Sequence, residues 1–167
     1  LEVWEFDANT GEASPFNVVQ RDGKWTIPSH HDYPADAKDR MSEAAGLLIG
    51  LTKVGVRSDN KADWAAFGVI DPTEPGLDLE GRGKRVTFKD TAGSTLADLI
   101  VGNQIEGKEK QYYVRIPDKK RTYVAEIAAD VTTKFEEWVE RDLLDLTSWD
   151  TERIILDNYS VDEEKGT

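Results

Sequence analysis

The residues of this chain that could do chemistry begin with His30-His31-Asp32, its only histidine cluster. Imidazole nitrogens and carboxylates are common ligands of zinc and similar metal ions. Adjacent histidines on an extended chain point to opposite sides, so they rarely bind one ion together. The sequence has no third histidine and no cysteine that could complete a set of ligands. We therefore predict a structural loop here, with no metal site and no dependence on a metal ion.

Nucleophilic catalysis needs a serine, threonine or cysteine held by a base that is itself oriented. No serine of this chain lies in a Gly-x-Ser-x-Gly elbow, and only Ser29 adjoins the histidine pair. The serines are Ser14, Ser29, Ser42, Ser58, Ser94, Ser148 and Ser160. Acidic pairs occur as Asp71/Glu74 and Asp78/Glu80. Because a surface rich in carboxylates supplies such pairs by chance, we predict no catalytic residues and no enzymatic activity.

The segment Gly81-Arg82-Gly83-Lys84 superficially resembles a phosphate-binding loop. It lacks the spacing G-x-x-x-x-G-K-[ST], and Arg85 stands where that motif needs serine or threonine. A strand is predicted to follow it, so no helix N-terminus would face a phosphate. We therefore predict a strand lead-in and no cofactor.

The five tryptophans raise the alternative of an aromatic platform that binds a glycan or another small molecule. They are Trp4, Trp25, Trp64, Trp138 and Trp149. Trp138 falls on the apolar side of a predicted helix, where core packing is the usual role of an indole ring. A ligand held in a cleft lined by Trp or Tyr would favour this alternative. A buried carboxylate pair in a pocket would instead favour a hydrolase.

Composition limits the classes of partner. The chain has 167 residues and a formal net charge of −12, from 21 Lys and Arg against 33 Asp and Glu. Such a surface repels phosphate backbones and anionic membranes, which argues against binding of nucleic acid or lipid. Association with a protein partner should be sensitive to salt, with a basic surface on that partner. The oligomeric state is not indicated by the sequence.

The first half of the sequence predicts a meander of strands followed by a helix. Val3 to Phe6 is predicted to be a strand, and Asp22-Gly23 predicts a type I′ hairpin, because both residues tolerate a positive φ. Pro34 is predicted to open a helix of about five turns. The apolar stripe of that helix is Ala37, Met41, Ala44, Ala45, Leu48 and Leu51. A short second helix, 60–67, is predicted to end at Gly68 in the left-handed region.

The second half predicts another meander and another helix. Its strands are 86–88, 96–101, 112–116 and 123–127, and Pro117-Asp118-Lys119-Lys120 forms a hairpin turn. Thr133 and Glu136 fit a capping box that opens a second long helix. The apolar face of this helix is Val131, Phe135, Trp138, Val139 and Leu146. A closing strand is expected over 153–156.

The predicted fold is therefore α+β: mostly antiparallel sheet built from hairpins, with two long amphipathic helices packed on it. We divide the chain into a first half, 1–72, a linker, 73–84, a second half, 85–161, and a frayed tail, 162–167. The two halves share their order of elements, which favours two degenerate hairpin-and-helix repeats within one compact unit. Since residue identities between the halves are few, duplication stays a hypothesis.

One continuous block of the sequence combines a turn, a helix start and a Gly- and Pro-containing exit. Its residues are Gly23, Trp25, Ile27, Tyr33, Pro34, Ala35, Asp36, Gly68, Asp71 and Pro72. This order resembles the pattern "G-x-W-x-I … Y-P-A-D … Y/F-G-[LV]-x-x-P" of a known family, the domain-of-unknown-function 4340 family. The family also has a later segment "l-x-[IV]-G … Y-V … V-Y-x-V", which Leu99 to Gly102, Tyr112 to Val114 and Tyr123-Val124 resemble.

The resemblance implies an extracytoplasmic part of a bacterial protein associated with ABC-transporter auxiliary or gliding-motility systems. It supplies no catalytic residue that could be carried over to this sequence. We therefore expect a non-enzymatic interaction module that binds subunits of a membrane complex. We also expect the natural protein to carry an N-terminal membrane anchor ahead of Leu1, because Val3 to Phe6 predicts a strand already under way.

Overall fold

The computed structural model of the chain describes residues 1–76, 80–128, 130–141 and 155. Ten strands and three α-helices are described over these ranges. The strands are β1 (Glu2–Asp7), β2 (Glu12–Asn17), β3 (Val19–Arg21), β4 (Lys24–Ile27), β5 (Tyr33–Pro34), β6 (Thr52–Ser58), β7 (Lys84–Lys89), β8 (Thr95–Gln104), β9 (Gln111–Arg115) and β10 (Thr122–Glu126). The helices are α1 (Ala37–Ile49), α2 (Trp64–Phe67) and α3 (Phe135–Trp138). None of the described helices has the length and apolarity needed to cross a bilayer.

Seven strands form one antiparallel sheet in the order β2-β1-β7-β8-β9-β10-β6, and β3-β4-β5 form a smaller second sheet. The large sheet therefore contains strands from both sides of the Gly- and Pro-rich segment 71–84. The strand β1 pairs with β7, and β6 pairs with β10, so contacts that are distant in sequence hold the sheet together.

Several local predictions are confirmed. Arg21 pairs with Lys24 across the Asp22-Gly23 turn, and both turn residues have a positive φ, 50° and 78°. The hairpin at 117–120 joins β9 to β10, with Asp118 at a φ of 64°. These turns can be predicted from the sequence because their backbone geometry depends on the residues in the turn itself.

The helix α1 is confirmed, but its start and its buried side differ from the prediction. Pro34 lies in β5 and pairs with Thr26, so the helix begins only at Ala37. Ala37, Ala44 and Leu47 are buried, whereas Met41 and Leu48 are partly buried against the same core. The buried line therefore passes through Leu47, which the predicted stripe omitted in favour of Leu48.

The prediction of a second long helix is wrong, and so is the predicted fold class, which depends on that helix. The structure is mostly β, with only short helices, rather than a sheet covered by two long ones. Over 131–141 the described helix is the four-residue α3, and Thr133 does not cap it: its hydroxyl donates to Glu5. Leu146 and the predicted strand 153–156, apart from Ile155, lie outside the described residues, as does the predicted tail.

The physical reason is that this segment pairs its backbone with a distant part of the chain. Asp36 N–H donates to the carbonyl of Trp138, Glu140 N–H donates to that of Pro34, and Ala35 forms a bridge with Val139. These bonds hold 139–140 extended beside β5. Trp138 is only 1% exposed because the segment packs it into the main core. An apolar spacing of three and four residues therefore arose here without a long helix.

The two faces of the large sheet are covered differently. Residues that pair across strands share a face. One face, which we call the helix face, carries Val3, Val86 and Val114 and packs against α1 and Trp138. The opposite face, which we call the Trp64 face, carries Ile100 and is covered by 64–70.

Candidate functional site

The histidine cluster lies in a loop between β4 and β5, and its members make separate contacts. The His30 ring stacks on Phe135, with centroids 4.3 Å apart and an interplanar angle of 9°. His31 and Asp32 both have a positive φ, and the Asp32 carboxylate pairs with Arg21 at 3.1 Å. Among the described residues, no group of three or more His, Cys, Asp and Glu is placed to hold a metal ion.

The glycines of the predicted strand lead-in allow backbones to approach closely. A Cβ at Gly83 would lie 2.6 Å from the carbonyl oxygen of Gly68 and 2.8 Å from that of Val101. A Cβ at Gly102 would similarly meet the carbonyl oxygens of Phe67 and Gly68. The segment that carries Trp64 is thus pressed directly onto β7 and β8. Gly83 is needed for this packing, which gives it a role without any phosphate.

The tryptophans within the described residues are engaged in packing. Trp64 is 7% exposed, Trp138 is 1% exposed, and Trp25 packs partly buried against the main core. Trp4 is half-buried and donates its indole N–H to Glu2 at 2.6 Å. Trp149 lies outside the described residues. The rings therefore do not line up as an exposed stacking platform over the part of the chain that the structure describes.

One acidic residue of the predicted pairs, Asp71, belongs to a charged network on the Trp64 face. The guanidinium of Arg85 contacts Asp71 Oδ2 at 2.9 Å and both oxygens of Asp98, at 3.0 and 2.6 Å. Thr87 also donates to Asp98 at 3.0 Å. The hydrogen bonds that Arg85 donates to Asp98 raise the pKa of Arg85. Because each carboxylate is held by the same cation, this network braces β7, β8 and the segment after Ile70.

A second arginine, Arg115 on β9, lies buried under α2. Its guanidinium carbon is 3.8 Å from the centroid of the Trp64 ring, a distance typical of a cation–π contact. Its Nε donates to the carbonyl of Val69 at 2.9 Å, and one Nη donates to that of Lys119 at 3.2 Å. Trp64 in turn donates its indole N–H to the carbonyl of Lys120 at 3.0 Å. The pair therefore fixes the β9–β10 turn against α2.

An open cleft of about 470 Å³ lies beside this pair. Its walls are Lys61, Trp64, Asp71, Thr73, Glu74, Pro75, Arg115, Asp118, Lys119 and Lys120. Arg115 is only 3% exposed. Burial lowers the pKa of the Arg115 guanidinium, and the negative charges of Asp71, Glu74 and Asp118 partly offset that effect. The cleft thus combines a buried cation with three surface lysines.

Sequence reasoning missed Arg115, although a signal for it existed. Side chains alternate between the two faces of a strand. Val114 lies in the main core, so its neighbours Tyr113 and Arg115 share the Trp64 face. An arginine at a position where a covered strand expects an apolar residue is a candidate for a functional or bracing role.

A second feature, on the helix face, is an apolar hollow of about 240 Å³ that α1 leaves open. It is lined by Leu51, Lys53, Leu99, Val114, Arg115, Ile116, Tyr123 and Ala125. Ile116 is 43% exposed at its rim, and Lys53 Nζ lies 5.0 Å from the centroid of the Tyr123 ring. The hollow can accept an apolar side chain from outside the molecule.

Comparison with known proteins identifies the family. A search of curated proteins and of solved structures gives no match. A family model described as "Domain of unknown function (DUF4340)" matches residues 25–167, which include the Tyr33 to Asp36 motif and Arg115. Because this match covers most of the chain, the protein belongs to the DUF4340 family.

Proposed function

We propose that this chain is a non-enzymatic interaction module on the extracytoplasmic side of a membrane-associated, ABC-transporter-like assembly. The cellular setting comes from the family resemblance. The observation that carries the interaction role is the apolar hollow on the helix face, where Ile116 is exposed next to the partly buried side chains of Leu99 and Tyr123. Exposed apolar surface beside a folded core is typical of binding sites for other proteins.

The face of the sheet, rather than its edge, suits this role. The edge strand β6 contains two register shifts against β10 and carries Lys53 and Arg57, features that hinder the addition of another strand. The opposite edge, β2, contains Pro15, which cannot donate a hydrogen bond to a neighbour. A partner is therefore expected to place an apolar side chain into the hollow instead of extending the sheet.

The charge of the molecule supports a protein partner with a basic surface around this apolar contact. With a net charge of −12, electrostatic attraction should raise the association rate and decrease as salt screens it. The charged groups of the Trp64 face that we describe above are engaged in bracing contacts. This agrees with a binding role better than with acid–base catalysis.

The test is recovery of membrane-complex subunits from envelope extracts by the purified chain and by two variants. Ile116→Asp places a charge at the rim of the hollow, and Leu96→Asp places one on an exposed apolar residue that does not line it. We expect Ile116→Asp to lose the subunits and Leu96→Asp to retain them. Equal recovery by both variants would contradict the hollow as the contact.

The second candidate function is a small-molecule binding module, and the cleft beside Trp64 favours it. That cleft contains a cation, a buried ring and the Thr73 hydroxyl group, which can bind a polar ligand. Glycan stacking on exposed tryptophans is less favoured, because Trp64 and Trp138 are buried. A turnover that one carboxylate substitution abolishes would contradict both binding functions.

A further inference from the structure

The starting observation is a buried positive charge that no carboxylate neutralises at ion-pair distance within the described part of the chain. Arg85 and Arg121 each contact a carboxylate at 2.9 Å or less, whereas Arg115 bonds only to carbonyl oxygens. Buried charges are normally paired, because transfer of an unpaired ion out of water is costly. Arg115 is therefore an exception that needs a physical account.

The guanidinium has capacity left for a ligand. Of its five N–H groups, the structure uses one at Nε and one at an Nη nitrogen, both bonded to backbone carbonyls. The other Nη nitrogen has no hydrogen bond to a described residue. It is not fully buried, so a ligand can reach it. Arg115 is a wall of the cleft beside Trp64, so a ligand bound in that cleft would lie against this side chain.

Other positive groups surround the same opening. Lys61 Nζ lies 4.8 Å from the centroid of the Trp64 ring, so it stays close to the cleft. Lys119 and Lys120 are exposed on the β9–β10 turn, whose carbonyls bind Arg115 and Trp64. Of the three acidic walls, Asp71 is already paired with Arg85. The cleft is thus locally cationic on a protein that is strongly acidic.

We propose that the cleft beside Trp64 is a carboxylate-binding site, in which Arg115 pairs with a single carboxylate group and Lys119 and Lys120 attract it. A guanidinium binds both carboxylate and phosphate through its N–H groups. Glu74 and Asp118 also line the cleft and reduce its positive charge, so the single charge of one carboxylate is enough to balance the unpaired guanidinium.

The carboxylate can come from an acidic side chain of a protein partner or from a free small carboxylic acid. This inference goes beyond the interaction role of the apolar hollow, because its ligand enters the Trp64 face, and it names a ligand class for the cleft of the second candidate function. Loss of partner recovery through Ile116 and loss of carboxylate binding at Arg115 are therefore separate results.

The test follows the Trp64 indole N–H and the Arg115 Nε–H by two-dimensional NMR during titration at low salt. The probes are a blocked glutamate (acetyl and amide caps), its glutamine counterpart, acetate, and inorganic phosphate. We expect a saturable shift of both resonances with the glutamate and none with the glutamine. Tighter binding of the blocked glutamate than of acetate assigns the ligand to a partner's side chain, and the reverse order assigns it to a free acid.

Two matched variants test the residues. Lys119→Gln with Lys120→Gln should weaken glutamate binding about fivefold, since two attractive charges are lost. Lys108→Gln with Lys110→Gln removes the same charge from exposed positions that do not line the cleft, and should change binding little. Arg115→Lys should weaken binding about tenfold or more, because the forked donors are lost.

Three results would overturn the proposal. They are an equal shift with the glutamine probe, tighter binding of phosphate than of either carboxylate, and equal weakening by the two lysine pairs. The lysine pairs are exposed, so these results are available even where Arg115→Lys fails to fold.

Discussion

The guanidinium of Arg115 lies 3.8 Å from the centroid of the Trp64 ring, and this contact joins the middle of the large sheet to the segment that covers it. Arg115 also donates to the carbonyl of Val69, two residues after α2, and to that of Lys119 in the β9–β10 turn. One side chain therefore holds three parts of the chain together. A cation in this position can bind a ligand and stabilise the fold at once.

Replacement of Arg115 by lysine should therefore destabilise the protein. Lysine keeps the charge but cannot maintain both carbonyl bonds and the planar contact with Trp64. We expect Arg115→Lys to cost about 1–3 kcal/mol in the free energy of unfolding, measured by urea denaturation. Arg121→Lys is the control, because Arg121 is exposed and forms its ion pair with the similarly exposed Asp59, and should cost less than about 0.5 kcal/mol.

The close backbone approach at Gly83 predicts opposite effects for two glycine-to-alanine changes. Gly83→Ala should destabilise by about 1–3 kcal/mol, because its Cβ would overlap the backbone oxygens of Gly68 and Val101. Gly46→Ala lies inside α1 with nothing within 4 Å of the added Cβ, and should stabilise by about 0.5–1 kcal/mol. Thermal or urea unfolding measures both. If Gly83→Ala left the free energy of unfolding unchanged, the backbones around Gly83 would not be packed as closely as described.

The buried side of α1 predicts an order between two neighbouring leucines. Leu47 is 2% exposed, whereas Leu48 is only partly buried. We expect Leu47→Ala to cost about 2–5 kcal/mol and Leu48→Ala to cost less, since fewer of its contacts are lost. Urea midpoints of the two variants give the order. The reverse order would mean that the helix presents the originally predicted stripe to the core.

The first strand contains a carboxylate whose contribution to stability depends on pH. The hydrogen bond from Lys89, at 2.8 Å, is the main cause that lowers the pKa of Glu2 below its ordinary value. The stabilising effect is therefore present above the pKa of the unfolded chain and is lost as the pH falls through the folded pKa. We expect Glu2→Gln to lower the urea midpoint at neutral pH and to have no effect at pH about 2.

The exposed Glu12 of β2 provides the control for this measurement. Glu12→Gln should leave the difference between the neutral and acidic midpoints as it is in the unchanged protein. A deficit of Glu2→Gln that persists at low pH would assign the role of Glu2 to packing.

The metal prediction from the sequence can be tested directly. We expect elemental analysis of the purified protein to find no stoichiometric zinc or nickel, because His30 and His31 lie in different environments, with only His30 stacked on Phe135. One tightly held metal per chain, lost in His31→Ala, would contradict this expectation.

The sequence by itself determined the turns, most strands and the first helix. Asp22-Gly23 and the turn at Asp118 follow from residues that tolerate a positive φ, and Gly68 ends α2 at a φ of 67° as expected. These features depend on neighbours in the chain, so local propensity and periodicity are sufficient to predict them.

Only the tertiary structure determined the conformation of the segment that ends at Trp138, and only the tertiary structure formed the Arg115 cleft. The predicted second long helix does not form, because residues 138–140 make backbone hydrogen bonds with residues 34–36. No residue pattern within the segment indicates that pairing. The cleft similarly needs β9, α2 and the β9–β10 turn to meet. Contacts between residues distant in sequence depend on strand order, which local residue patterns do not encode.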